Sequence, residues 1–462
     1  MPNKSKKTTP IKWHPLCEET LQYAQNKNKA IFITIGYNSC KLCQDMEDKV
    51  INNEKCKKIL EESFVCIKID KDQRADIDKY YQRVHKIINN RTGGWPLSIF
   101  ATPQNKPFFA STYIQLESEE GSIEGMGFLE LISLISHKVK QNDETLYKNA
   151  DDVYKFLNKD EHPSQATVLK EEFYKTFLLQ AKNNYDTKNG GFSSKPKFPH
   201  ANTLKTLLFI DNLYENDSAK DMVLHTLKEM AKGGFYDKEN YGFYRYCMSE
   251  DWSMAGDEKT LYDNALLGDV YLQAYKLYKD ETFLDIAKNC TTVKEIKPQL
   301  AHSSMMASTM LKLSKVDKTY KQKAIQNLND LNFTKKEFLD GYAFFIEALL
   351  NGYDITKDET YLVKAQKLTN EALCEFYKKG AWYFSNNEFS TQAQVDDTTH
   401  TSALSTMIGN LLSISFLLED EKYAHFAFKT LEYNSYELGR KTIYYPSMLL
   451  QMIRYLKKLY SF

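Results

Sequence analysis

A short apolar run that leads into two closely spaced cysteines constrains the fold of this chain more than any other feature. Residues 30–35, AIFITI, are apolar and largely β-branched, as is typical of a buried strand. The next segment, GYNSCKLC at 36–43, passes through turn-type residues and ends in Cys40 and Cys43. This order predicts a strand, a turn and then a helix that begins close to the first cysteine.

The spacing of the two cysteines favours reversible disulfide chemistry. With Asn38 or Ser39 as the expected N-cap, Cys40 falls in the first helical turn, where free N–H groups and the helix dipole stabilise a thiolate. Cys40 is therefore the predicted nucleophile, and Cys43, about one turn further on, would resolve a mixed disulfide. Lys41 adds a positive charge beside the nucleophile and is predicted to contact the substrate.

Half of a zinc site is the alternative interpretation of this cysteine pair. A structural zinc ion needs two further ligands, but Cys56, Cys66 and His85 are isolated in the sequence and form no second pair. The strand-to-helix context instead matches a redox motif. We therefore expect no metal and no cofactor.

Composition restricts the remaining classes of function. The 462 residues predict two or three domains, and 61 basic residues balance 61 acidic ones, so the net charge indicates no nucleic-acid partner. No apolar run reaches membrane-spanning length and no signal-peptide pattern is recognised, so we expect a cytoplasmic protein without a membrane partner. Eight cysteines in a chain of this length argue against a disulfide-stapled secreted domain.

Strand and helix patterns alternate from the first apolar run to about residue 140. A second strand is predicted at Phe64–Asp70, followed by a helix over residues 72–88. Two short apolar strands then flank the Pro103–Asn105 turn, and a helix near residues 127–140 ends the pattern. This alternation predicts a parallel βαβ unit followed by a hairpin.

Several motifs, in this order along the chain, resemble the YyaL and spermatogenesis-associated family of thioredoxin-domain proteins. They are GYNSCKLC at 36–43, IKIDKDQRADID at 67–78, GGWPL at 93–97, GGF at 190–192, KPKFP at 195–199, MAKGGFYD at 230–237 and EKTLYDNA at 258–265. The resemblance covers roughly residues 10–280. It implies a thioredoxin fold in which the Trp95–Pro96 bond is cis and lies against the cysteine pair. Pro96 is accordingly grouped with the catalytic residues, and Trp95 is assigned to substrate binding.

The same resemblance implies a two-domain protein, in which an α/β thioredoxin-like domain is followed by an all-α (α/α)6 barrel of six helical hairpins. Such toroids are related in shape to glycosidases and sugar epimerases. About twelve amphipathic segments after residue 165 agree with six hairpins. We expect the thioredoxin-like domain over residues 1–142, a polar linker over 143–165 and the toroid over 166–462.

Aromatic and charged residues in the second half predict a site for a sugar-like ligand. Ring faces pack on the apolar C–H faces of a sugar, whereas charged groups bind its hydroxyls. Glu258 and Asp396 are the predicted acid and base, because a pair of carboxylates can perform that chemistry. The predicted ligand contacts are Arg245, Trp252, Glu258, Asp263 and Asp396, with Asp186, Asp340 and Trp382 as further members of the cleft.

The chain departs from its relatives at positions that bear on chemistry. Relatives carry histidines around the cysteine motif, where this chain has Lys41, Leu42 and Gln44, and a histidine where this chain has Gly256. The tryptophan-asparagine-glycine stretch of relatives is also absent around residues 299–306. Glycine cannot transfer a proton, so acid–base activity does not carry over to Gly256.

Three functions are open at this point. The first is a thiol–disulfide oxidoreductase or redox-responsive protein that acts on a protein or small-molecule disulfide, with the toroid selecting the substrate or partner. The second is a carbohydrate-active enzyme or sugar-binding protein in which the thioredoxin-like domain is structural. The third is a non-catalytic interaction protein, since a fold alone does not decide the function.

Overall fold

The structure is a computed structural model that describes residues 11–38, 40–118, 126–157, 166–192, 195–335, 337–397 and 400–460. The chain divides into two units, Met1–Glu161 and His162–Phe462. None of the described helices combines the length and the hydropathy that a membrane crossing requires.

A four-stranded sheet forms the centre of the first unit. Its strands are β1 (Ala30–Gly36), β2 (Phe64–Asp70), β3 (Leu97–Ala101) and β4 (Pro107–Ser111), in the spatial order β2-β1-β3-β4. The β1 and β2 strands are parallel, whereas β3 is antiparallel to both of its neighbours. The parallel unit and the hairpin expected from the sequence are both present, and β1 lies between two strands because its residues are apolar on both faces.

Six helices surround this sheet in the described part of the first unit. They are α1 (Glu18–Lys27), α2 (Lys41–Met46), α3 (Glu54–Ser63), α4 (Ala75–Asn89), α5 (Phe128–Lys140) and α6 (Glu144–Leu157), and a π-helical turn, Glu47–Ile51, extends α2. The α6 helix lies inside the segment expected to be a linker. Its buried face carries Leu146, Ala150 and Leu157, and the polar residues between them give the segment its linker-like composition. Residues 158–165 lie outside the described residues.

Twelve helices form the described part of the second unit, which confirms the expected all-α fold. They are α7 (Phe173–Asn184), α8 (Ala201–Tyr214), α9 (Asp217–Lys232), α10 (Leu261–Tyr278), α11 (Glu281–Cys290), α12 (Leu300–Ser314), α13 (Lys321–Asn329), α14 (Leu339–Thr356), α15 (Glu359–Phe376), α16 (Ala403–Leu418), α17 (Glu421–Arg440) and α18 (Pro446–Leu456). A small hairpin, β5 (Tyr377–Lys378) and β6 (Ala381–Trp382), follows α15.

In the second unit, the even-numbered helices form a closed inner ring. Each of α8, α10, α12, α14, α16 and α18 packs against the next, and α18 returns to α8. Inner helices are buried on most sides, as α16 illustrates with apolar and small residues along its whole length, whereas outer helices such as α11 bury only one face. Because an outer helix returns the chain between successive inner helices, all the inner helices run in the same direction. Their amino-terminal ends therefore meet at one end of the ring.

Most inner helices connect to the next outer helix through a turn of only two residues. The first residue takes a left-handed conformation and the second is an Asn or Asp whose side chain caps the next helix. These pairs are Glu215–Asn216, Lys279–Asp280, Lys357–Asp358 and Glu419–Asp420. The long connections, such as residues 233–260 and 377–397, consequently lie at the opposite end, where the inner helices begin.

Charged side chains join four of the inner helices. Asp269 of α10 is 2.8 Å from Lys205 of α8 and 3.3 Å from Lys312 of α12, measured from its Oδ2 to each Nζ. Lys312 in turn lies 3.3 Å from Glu347 of α14. The charges alternate in sign around the ring, so each helix is tied electrostatically to the next.

Candidate functional site

The cysteine pair lies at the amino terminus of α2 and forms a disulfide. Cys40 itself is the N-cap, and its Sγ accepts a hydrogen bond from the backbone N–H of Cys43 at 3.1 Å. The expectation that Asn38 would be the cap is therefore wrong, and Ser39 lies outside the described residues. The backbone N–H of Cys40 donates to the Tyr37 carbonyl, and this turn delays the start of the helix until Lys41.

The two cysteines differ in solvent exposure. Cys40 is only 5% exposed and Cys43 is half-buried, while Leu42 between them is 53% exposed. The sulfur of Cys43 lies over Gly36 at the end of β1, since a Cβ at position 36 would come within 2.8 Å of it. Lys41 is exposed on the first turn of α2, where its contact with a substrate stays a prediction.

The segment before β3 lies at the same edge of the sheet as the cysteine pair. Leu97, which begins β3, pairs with Ile35 near the end of β1, so the residues just before β3 lie beside the loop that follows β1. The Trp95–Pro96 peptide bond is cis, as the family resemblance implied. No observation tests the catalytic assignment of Pro96, which stays a prediction.

Trp95 is held by contacts on its ring and on its indole nitrogen. The ring of Tyr37 meets it edge-on, with 5.9 Å between ring centroids. The Nζ of Lys71 lies 4.7 Å from the Tyr37 ring centroid and 5.1 Å from that of Trp95, which is cation–π geometry. The indole N–H donates to a carboxylate oxygen of Asp78 at 2.9 Å.

In the second unit, two of the predicted ligand contacts form an ion pair. Arg245 Nη1 lies 3.1 Å from Glu258 Oε2, and the Arg245 backbone N–H donates to the Glu258 carbonyl. Asp263 is buried at the start of α10, and it accepts a hydrogen bond of 2.6 Å from the Thr260 hydroxyl. Burial raises the pKa of Asp263 to about 7.

Both tryptophans of the predicted cleft belong to the hydrophobic core: Trp252, which was predicted as a ligand contact, and Trp382, which was predicted as a further member of the cleft. Trp252 is fully buried, donates its indole N–H to the Asn189 carbonyl and packs on Phe235. Trp382 is 2% exposed and donates to the hydroxyl of Thr430. Neither ring has a face on which a ligand can stack.

The remaining carboxylates of the predicted cleft have structural partners. Asp186 pairs at 2.7 Å with the buried ammonium of Lys197. Asp396 accepts a hydrogen bond from the Gln394 side chain, and Asp340 accepts one from the backbone N–H of Gly341. The proposed acid–base pairing of Glu258 with Asp396 stays a prediction.

The ring of Tyr246 leaves no room for a side chain at position 256, where this chain has glycine. A Cβ on Gly256 would lie 2.9 Å from Cζ of Tyr246 and about as close to the neighbouring ring atoms. The phenol ring thus occupies the space that a side chain at this position would need. Proton transfer from position 256 is therefore excluded in this chain.

A cluster of rings that sequence reasoning missed lies where the inner helices begin. The ring centroids of Tyr262 and His302 are 4.8 Å apart, and His400 lies 5.5 Å from Tyr262 and 6.1 Å from His302. Phe344 of α14 packs on His400 at 5.8 Å. We call these four residues the ring cluster. Each lies within a few residues of the start of an inner helix. Assigning the predicted helices alternately to outer and inner positions would have placed these four residues at the same end of the toroid.

The two histidines of the ring cluster differ in their hydrogen bonding. His302 is buried, and its Nδ1 has no hydrogen-bond partner among the described residues, although Glu295 Oε2 lies 3.6 Å away. In His400, Nδ1 lies 2.8 Å from the Thr401 carbonyl oxygen. A carbonyl only accepts, so Nδ1 carries a hydrogen.

No group of three or more His, Cys, Asp or Glu side chains in the described ranges is arranged to hold a metal ion.

Together these features define a thioredoxin-like unit with a cysteine pair at a helix N-terminus, followed by a six-hairpin toroid. Residues 3–158 match the family model Thioredox_DsbH, described as a protein of unknown function, DUF255. The chain is 34% identical over 308 residues to spermatogenesis-associated protein 20 of Homo sapiens, which covers 64% of this chain and 38% of that protein. It is 35% identical over 272 residues to an uncharacterized protein of Caenorhabditis elegans, covering 58% and 37%. The chain thus spans less than two fifths of the length of these relatives.

Solved structures support the fold of the second unit. A cellobiose 2-epimerase from Bacillus thermoamylovorans matches with a TM-score of 0.50 and 12% identity, covering 61% of this chain and 97% of that one. A sugar epimerase from a ruminal bacterium matches with a TM-score of 0.50 and 13% identity, covering 63% and 97%. At these identities the likeness concerns the fold alone. The resemblance to the YyaL and spermatogenesis-associated family of thioredoxin-domain proteins, and the two-part fold that it implied, are confirmed.

Proposed function

We propose that the first unit is a thiol–disulfide oxidoreductase or redox-responsive module, in which Cys40 is the nucleophile and Cys43 the resolving residue. One observation carries the proposal: the Cys40 sulfur caps α2 and accepts the Cys43 N–H. A sulfur in that position receives a hydrogen bond and the positive end of the helix dipole, and both stabilise a thiolate relative to a thiol.

The reaction proceeds in two exchanges that balance in electrons. In the reduced form, the Cys40 thiolate attacks a substrate disulfide, so that a mixed disulfide forms and one substrate thiolate leaves. The Cys43 thiolate then attacks the Cys40 sulfur, which closes the intramolecular disulfide and releases the second substrate thiolate. The substrate gains two electrons, and an external dithiol returns the pair to its reduced form.

The proposal is tested by following both the pair and its catalysis. The chain is equilibrated in redox buffers of increasing potential, and the fraction of alkylated Cys40 and Cys43 is measured by mass spectrometry. We expect one two-electron transition, together with acceleration of insulin reduction by dithiothreitol. A cysteine pair that stays in one redox state in every buffer would contradict the whole proposal. A pair that titrates while the chain leaves the insulin reaction unchanged would contradict the oxidoreductase function.

Replacing Gly36 with alanine is expected to slow closure of the disulfide. The added methyl group would lie 2.8 Å from the Cys43 sulfur and displace it, and misplacing a reacting atom by an ångström costs up to about 100-fold in rate. Rapid-mixing measurement of the closure step checks this expectation, with Thr34→Ala on the same strand as the control. An unchanged closure rate in Gly36→Ala would show that the sulfur tolerates the contact.

We further propose that the toroid binds a neutral polyhydroxyl ligand at the ring cluster. The Nδ1 of the buried His302 favours this second function, because it makes no hydrogen bond among the described residues, with Glu295 Oε2 3.6 Å away, and a buried polar atom without a hydrogen bond is costly unless something binds it. His400 is only partly buried, and its ring, which packs against Tyr262 and Phe344, supplies the accessible aromatic face of the cluster. Glu258 neutralises Arg245, so this pair does not select an anion.

Replacing His302 with alanine is expected to lower the affinity for a polyhydroxyl ligand about tenfold, the usual effect of one lost hydrogen bond. A panel of sugars and polyols is screened by thermal shift, since a specific ligand raises the melting temperature by mass action. His425→Ala, on the exposed side of α17, is the matched control and should leave the shift intact. This second proposal would be contradicted if no member of the panel raised the melting temperature, or if a ligand raised it equally in His302→Ala and in the wild type.

A further inference from the structure

One buried carboxylate of the first unit has its main partner in the segment that carries the cis proline. Asp78 of α4 is 8% exposed, and its carboxylate accepts the Trp95 indole N–H at 2.9 Å. Gln82, one turn further along α4, makes only a long contact of 3.4 Å with it. Burying a carboxylate with so few donors costs free energy, and burial correspondingly raises its pKa.

Asp76 provides the contrast, because it lies two residues away on the same helix. It is buried as well, at 1% exposed, but it is satisfied by two hydrogen bonds of 3.0 and 2.9 Å from Arg74 at the start of α4. These two bonds lie at the amino terminus of the helix. Asp78 instead connects the helix to Trp95, at the edge of the sheet where the cysteine pair lies.

The segment that carries Trp95 is pressed closely against α4. A Cβ on Gly93 would clash with the Gln82 side-chain oxygen, so the backbone runs directly over the helix surface. The hydrogen bond from Trp95 to Asp78 therefore fixes the indole ring on a rigid support. Tyr37 and Lys71 hold the ring from the side of the cysteine loop.

We propose that Asp78 is a positioning residue for the disulfide site, and that by fixing the Trp95 ring it prepares this site for a disulfide carried by a polypeptide. The proposal rests on the proposed oxidoreductase function. The half-buried Trp95 ring and the exposed Leu42 are apolar surfaces close to the cysteines. A polypeptide has side chains that can cover such surfaces, whereas a small disulfide such as oxidised glutathione reacts through its sulfur with little apolar contact.

The test compares a polypeptide disulfide with a small one in the same variants. In Asp78→Leu, which removes the acceptor, we expect KM for insulin to rise about tenfold with little change in kcat, because one hydrogen bond is lost. Turnover of oxidised glutathione should stay unchanged. Asp78→Asn keeps a carbonyl acceptor and should restore most of the affinity. Asp76→Leu is the matched control and should leave both substrates unaffected.

The outcomes separate this inference from the proposed function. If the wild-type chain reduces neither substrate, the oxidoreductase function fails and the inference fails with it. If the wild type is active but Asp78→Leu loses activity toward both substrates equally, or toward neither, Asp78 does not position the site for a polypeptide disulfide. Should Asp78→Leu not fold, Trp95→Phe removes the same N–H donor from the other side and must show the same separation between the two substrates.

Discussion

Replacing Cys40 with serine is expected to lower catalysed disulfide reduction by at least about 10³-fold, since the attacking atom is removed. The fold should survive the change, because serine is a good N-cap and its oxygen can accept the same Cys43 N–H that the sulfur accepts. Helix α2 therefore keeps its start. The loss of activity can then be attributed to the sulfur rather than to unfolding, which is checked by circular dichroism.

Two further variants make the assignment of roles specific. Cys43→Ser leaves the nucleophile but removes the resolving thiol, so a mixed disulfide with the substrate should accumulate and be visible by mass spectrometry. Cys374→Ser removes an exposed free cysteine of the second unit and should change nothing. If Cys40→Ser retains full activity, or if Cys43→Ser traps no substrate, the roles assigned to this pair are wrong.

Replacing Asp269 with asparagine is expected to destabilise the toroid by about 3 kcal/mol, because it removes the counter-charge of the partly buried Lys205 ammonium and leaves Lys312 with Glu347 alone. Burial alone would raise the pKa of this carboxyl, but Lys205 and Lys312 outweigh it and hold the pKa well below its usual value. The ionised side chain contributes stability above its unfolded pKa of about 4, and that contribution is lost as the pH falls. The variant should therefore differ most from the wild type near neutral pH.

Urea unfolding of the full chain, followed by fluorescence of the buried Trp252 and Trp382, measures this effect. Asp221→Asn, on the exposed side of α9, is the matched control and should stay within about 0.5 kcal/mol of the wild type. An Asp269→Asn variant as stable as the control at neutral pH would show that the alternating charges do not hold the inner helices together.

Local pattern was sufficient to predict the sheet of the first unit. β2 spans the predicted residues Phe64–Asp70, since an apolar run between turn residues has few other stable conformations. The N-cap was misplaced because Asn and Ser are the usual capping residues, whereas here the sulfur of Cys40 accepts the N–H of Cys43. The cis bond at Pro96 followed from resemblance alone, because most bonds before proline are trans.

The candidate site of the toroid was harder to predict because ring closure brings distant residues together. Nothing near His302 in the sequence indicates that His400 and Tyr262 will lie beside it. The prediction that Trp252 contacts a ligand has a different origin. An aromatic side chain among charged residues suits a ligand site and a hydrophobic core equally well, and here Trp252 lies in the core. The repeated sequence KDET, at 279–282 and 357–360, marks equivalent turns of the toroid and would have aligned the hairpins.

The two-residue turns between inner and outer helices restrict where this architecture can change in length. A residue inserted at Lys279–Asp280 or Lys357–Asp358 would separate a left-handed residue from the side chain that caps the next helix. Segments such as 233–260 can be lengthened at small entropic cost. We therefore expect insertions to be tolerated best at the rim that carries the long connections, where new binding specificities can arise while the scaffold stays the same.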